Sequence, residues 1–129
     1  MFTHVMVGTN DIAAATKFHD AVMGVLGYAG SSNDTGTGRF YVGPHGMGGG
    51  AFGVTMPRDG NPACFANGGT IGFQAPSPEV VDEWHAAGLA NGGTCEGKPG
   101  ERSGGWGKSY GAYLRDPDGN KICVFAPLQ

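Results

Sequence analysis

The chain has no run of charge of either sign. Its eight basic and eleven acidic side chains are scattered to give a net −3. A protein that grips nucleic acid needs a basic stripe against the phosphates, so that class of partner is excluded. Nor does any apolar stretch approach the about 18 residues that a membrane-spanning helix requires. The start, Met1-Phe2-Thr3-His4, has neither a basic segment nor an apolar one behind it, and no secretory signal is expected. Cysteine is scarce too. Cys64, Cys95 and Cys123 are odd in number, widely spaced and free of any CxxC. That pattern speaks against a disulfide scaffold and for reduced thiols in a cytoplasmic protein.

What is abundant is glycine, 26 in 129 residues, gathered in segments 36–50, 60–69 and 92–107. Such segments read as mobile connections and rims around a tighter frame. The frame itself is periodic. Thr3–Val7 alternates like a short strand. Thr9-Asn10-Asp11 then supplies an N-cap and an acidic first turn. Ala15, Phe18, Val22 and Leu26 follow at helical spacing, and Gly27 stops the helix. Thr70–Gln74 is again apolar and strand-like. Ser77-Pro78-Glu79 is a cap with proline at the first helical position, Val80, Trp84 and Ala87 form the buried face, and Asn91-Gly92-Gly93 closes the helix.

These two stretches superpose without a gap at an offset of 66 positions, which pairs His4 with Thr70, Phe18 with Trp84, His19 with His85 and Gly27 with Gly93. An internal repeat explains this agreement of strand start, aromatic anchor and glycine stop. Three further strands are expected in each half, near 28–31, 39–42 and 51–56, then near 94–97, 109–115 and 121–126. Asp116-Pro117-Asp118-Gly119-Asn120 reads as a type I hairpin turn. The chain 1–129 is thus expected to be one α+β domain of two βαβββ modules, 1–66 and 67–129, with antiparallel strands and the helices outside.

This arrangement resembles the glyoxalase/bleomycin-resistance/dioxygenase (vicinal oxygen chelate) superfamily. Tyr113-Leu114-Arg115-Asp116-Pro117-Asp118-Gly119-Asn120-Lys121-Ile122 is similar to that family's C-terminal hairpin signature. Asn67-Gly68-Gly69-Thr70-Ile71-Gly72-Phe73 is similar to the start of its second module, and Lys98-Pro99-Gly100 to Arg102 resembles its loop. The resemblance implies a curved, half-barrel sheet with the site in its concave side, often completed across a homodimer. Members include lyases, isomerases, ring-cleaving dioxygenases and metal-free drug-binding proteins.

The resemblance also implies metal positions on the first strand of each module and carboxylates on the last. The first falls on His4. The second, usually histidine, falls on Thr70, and the final-strand carboxylate falls on Cys123. The fourth lies in 53–55, and no Asp or Glu occurs between Asp34 and Asp59 or after Asp118. Magnesium or manganese wants several oxygen ligands, and a catalytic zinc wants three protein ligands beside an open position. A divalent zinc, nickel, manganese or iron ion is therefore disfavoured as a cofactor, with His4 the one family-matching ligand.

Alternation sends Val5, Val7, Ile71, Phe73, Ile122 and Val124 to the helices, and His4, Met6, Thr70, Gly72, Cys123 and Phe125 to the cavity. His4 reads as a hydrogen-bonded residue of the cavity floor before it reads as a catalyst, and Cys123 as a small buried thiol before a nucleophile. His19 and His85 read as solvated or interface residues, and His45 as a surface histidine of a glycine-rich loop. Phe52, Val54, Trp106 and Tyr110 are the apolar and aromatic residues chosen for the pocket wall. Arg102 beside Glu101 offers an anionic ligand a contact, or is a solvated charge pair. Gly48-Gly49-Gly50 lacks the lysine and helix of a phosphate loop.

Three functions compete. The first is a metal-independent small-molecule binding or resistance-type protein, holding its ligand with groups such as His4, Thr70 and Tyr110. The second is a lyase, isomerase or dioxygenase with an unorthodox ligand set including His4. The third is a fold retained for protein association. The first is preferred, because the site and not the fold decides chemistry.

Overall fold

In a computed structural model, residues 1–105 and 107–128 are described. The first module runs β1 (His4–Gly8), α1 (Ile12–Val25), β2 (Gly30–Ser32), β3 (Gly38–Val42) and β4 (Ala51–Thr55). The second runs β5 (Ile71–Gln74), α2 (Pro78–Ala90), β6 (Thr94–Gly104), β7 (Gly107–Arg115) and β8 (Lys121–Pro127). Each module makes a four-stranded sheet, ordered β1-β4-β3-β2 and β5-β8-β7-β6, and the sheets do not close into a barrel. In both, the first strand pairs in parallel with the last and the others are antiparallel. The repeat read from the sequence is the repeat of the fold.

The helices start where their caps dictate. The Asp11 carboxylate accepts from the Ala14 amide, and the Ser77 hydroxyl accepts from the Val80 amide with Pro78 at the first helical position. Gly27 stands just beyond the first helix at φ +91°, a conformation that side-chain-bearing residues rarely adopt. The hairpin turn also matches its expected chemistry. The Gly119 amide donates to the Asp116 carbonyl at 2.9 Å, and Gly119 takes φ +88°.

Both modules contribute to one core. Phe18, Val22, Tyr41 and Phe52 from the first meet Val81, Trp84, Leu114, Ile122 and Val124 from the second. The Phe52 and Phe73 rings touch edge-on across the junction, 5.1 Å apart. Emptying such a position, Trp84→Ala for example, costs about 3–5 kcal/mol.

A polar joint crosses the same junction. His19 and Asp116 are fully buried, with Nε2 and Oδ2 at 2.9 Å. Asp116 also accepts from the amides of Asp118 and Asn120 and from the Asn120 side chain, which in turn donates to the Gly8 carbonyl. This corrects the expectation that His19 and His85 are solvated: His19 is 0% exposed and His85 7%. His85 meets the Cys95 sulfur of β6 at 3.2 Å, while α1 sets His19 against the Phe52 ring of β4 and against Asp116 in the turn of the second module. The buried stripe of each helix is therefore wider than the single face that periodicity marks.

Candidate functional site

Register determines which side chains face away from the helices. His4 pairs with Ala51 and Met6 with Gly53, while β3 sets Val42 beside Ala51 and Phe40 beside Gly53. Paired residues point to one face of a sheet. These six surround an apolar cavity of about 360 Å³ on the open face of the first sheet. Gly53 leaves the space that its neighbours fill, since a Cβ would stand 2.6 Å from the Met6 sulfur and 2.8 Å from the Phe40 ring and would push both aside. His4 is exposed, and its Nδ1 lies 2.9 Å from the Thr3 hydroxyl.

The second sheet repeats the arrangement on its own open face. Tyr113 pairs with Cys123, Gly111 with Phe125, Ser109 with Pro127, and Gly72 with Cys123. Of these, Gly72, Ser109, Tyr113, Cys123, Phe125 and Pro127 line a larger cavity of about 700 Å³ together with Thr70, Gln74 and Lys121. Tyr113 and Phe125 meet edge-on at 5.6 Å, and the Lys121 ammonium sits 5.2 Å from the centre of the Tyr113 ring. Cys123 is 5% exposed, and burial pushes its thiol up to about 11 against a smaller opposing pull from Lys121. It is therefore a neutral thiol near pH 7, the state in which cysteine is a poor nucleophile and a poor ligand.

Phe52 contributes to the wall of the first cavity, while Val54 and Tyr110, also expected there, stand elsewhere. Phe52 and Val54 pair with Val5 and Val7, which turns them to the helical side. Phe52 lies among Tyr41, Phe73 and His19, and Val54 is fully buried. Tyr110 alternates out of phase with Gly111 and Tyr113, and its hydroxyl donates to Asp82 of α2 at 2.7 Å. That hydrogen bond to a carboxylate, more than burial, raises its pKa. Trp106 lies outside the described residues. Arg102 donates to the Lys98 carbonyl at 2.7 Å, and His45 is exposed in its loop. Tyr113 and Lys121 were not singled out from the sequence. Alternation counted outwards from both sides of the Asp116 turn points to both.

The four positions that the family resemblance marks for metal ligands do not bring a ligand set together among the described residues. His4 lines the first cavity and Thr70 and Cys123 the second. The β4 position offers Gly53 and Thr55 without a carboxylate. Among the described residues no three His, Cys, Asp or Glu side chains stand close enough together to share an ion. An imidazole, a hydroxyl and a protonated thiol are the wrong donors for a hard divalent cation, and they are one short for zinc.

Residues 1–124 match the model of the Glyoxalase/Bleomycin resistance protein/Dioxygenase superfamily. The fold is similar to the crystal structure of a glyoxalase/bleomycin resistance protein from Albidiferax ferrireducens T118. That protein is 53% identical, with 98% of this chain and 99% of that one covered at a TM-score of 0.90. A putative glyoxalase from Bacillus halodurans is 22% identical over 98% of this chain and 96% of its own, at 0.73. Lactoylglutathione lyase from Agrobacterium tumefaciens is also 22% identical, over 98% and 92%, at 0.64. At that identity these two speak for the fold alone. No curated protein matches the sequence.

Proposed function

Because the chain belongs to the glyoxalase/bleomycin resistance protein/dioxygenase superfamily, we propose that it is a member that binds a small organic molecule on the open faces of its sheets without a metal ion. The observation that carries this reading is the contrast between fold and donors. Both modules keep their open, glycine-floored cavities, while three of four ligand positions have become Thr70, Cys123 and a strand without carboxylates. Apolar walls with a few polar groups are the composition of a small-ligand site.

A homodimer belongs to the same proposal. Met6, Val42 and Met56 are 37%, 44% and 41% exposed on or beside the open face of the first sheet, an apolar surface that a second copy would cover. We also place the protein in the cytoplasm, in keeping with three unpaired thiols. Among the described residues no helix is long and apolar enough to cross a membrane.

The test is a fragment screen by amide NMR in the presence of a chelator. Binding should move the amides of Met6, Phe40, Gly53, Tyr113, Cys123 and Phe125. Shifts confined to the helical side, or the loss of all binding on chelation, would contradict the proposal.

A further inference from the structure

Resting on that reading, we infer that the larger cavity selects a planar aromatic carboxylate of one or two rings. The charge of the wall is the first argument. The chain is net −3, yet among the described residues lining this cavity there are two lysines, Lys121 and Lys108, and no Asp or Glu. The nearby carboxylate, Glu96, is committed to Arg115 at 3.2 Å. Cys123 adds no negative charge, since its thiol stays protonated. The remaining polar groups, Thr70, Gln74, Ser109 and Tyr113, are neutral hydroxyls and an amide. A cation would find no counter-charge here, whereas an anion finds an ammonium with hydroxyl donors around it.

The shape of the floor is the second argument. The Phe125 ring lies against the Gly111 backbone so closely that a Cβ on Gly111 would stand 2.4 Å from it. Gly72 keeps the neighbouring strand flat beside Cys123, where a Cβ would meet the sulfur at 3.1 Å. With Tyr113 edge-on to Phe125, the cavity presents a ring-sized aromatic slot with the Lys121 ammonium over one end. A ligand that stacks on Phe125 and turns an anionic edge to Lys121 satisfies both features. Of the two lysines only Lys121 stands at the aromatic slot, as a point charge, and among the described residues no guanidinium fork or helix N-terminus lines the cavity. A single carboxylate fits that better than a phosphate dianion.

The experiment is calorimetric titration with 2-naphthoate and with its uncharged isostere 2-naphthamide, on wild type and on the Lys108→Gln/Lys121→Gln double variant. Both lysines reach solvent, so the variant should fold, which circular dichroism checks before the titration. The expected result is that wild type prefers the acid by about tenfold, as one partly screened charge-assisted hydrogen bond provides. That preference should shrink with salt and vanish in the variant. Equal affinity for acid and amide, or a preference that survives the double substitution, overturns the carboxylate assignment and leaves the small-molecule reading intact. If neither naphthalene binds while other fragments do, the assignment again falls alone. If nothing binds the open faces at all, the underlying reading falls with it.

Discussion

His19 Nε2 and Asp116 Oδ2 stand 2.9 Å apart with both side chains fully buried, fastening the first helix to the hairpin of the second module. Asp116 serves four donors at this joint, so its removal leaves His19 and two backbone amides without their partner. Asp116→Ala should therefore destabilise the protein by about 3–5 kcal/mol. Urea unfolding followed by circular dichroism measures this, and a loss under about 1 kcal/mol would show that the joint is not structural.

Two helical glycines should respond to alanine with opposite signs. Gly24 is exposed and a Cβ there meets nothing within 4 Å, so Gly24→Ala should stabilise by about 0.5–1 kcal/mol. At Gly88 the same atom would stand 2.3 Å from Leu114 Cδ1. Overpacking costs about 1–3 kcal/mol there and outweighs the propensity gain. Thermal melts of the two variants should move apart, and a shared direction would contradict the packing described.

The three thiols should divide by exposure. Cys64 and Cys95 are exposed, while Cys123 is buried with its thiol pushed up to about 11. An aromatic disulfide reagent at pH 8 should titrate two thiols in the native protein and the third only on unfolding. A fast third thiol in native protein would place Cys123 among nucleophiles.

His85 predicts a pH dependence. Burial lowers its pKa below the usual value near 6.5, outweighing the opposing pull of Asp82. With the folded value the lower one, the unfolded chain binds the proton first. Stability should be complete above about pH 6.5 and fall as the pH drops from there towards the folded pKa. Denaturation midpoints across pH 5–8 should show this slope in wild type and a shallower one in His85→Gln. An unchanged slope would remove His85 as its source.

Much of the fold was legible because local signals agreed with one another. The Ser77-Pro78 cap, the glycine after the first helix, the Asp116 turn and the 66-residue repeat each have a local physical cause, and each stands where it was read. The cavity wall was less legible. Val54 and Tyr110 read as wall residues but are not, because a slip of one residue exchanges the faces of a strand. That phase is fixed by pairing with β1 and β8, which alternation within β4 or β7 does not reveal. His19 and His85 read as surface residues for a related reason: their partners, Asp116 and Cys95, lie in a distant turn and a neighbouring strand, and such packing leaves no mark on a helix alone.

The most direct test of metal-free binding is elemental analysis of the protein purified without added metal, and again after loading with zinc, nickel, manganese or iron and desalting. The account predicts far less than one equivalent retained in every case, unchanged by His4→Ala. One equivalent held by wild type and lost in His4→Ala would contradict it and place a metal-assisted reaction at His4.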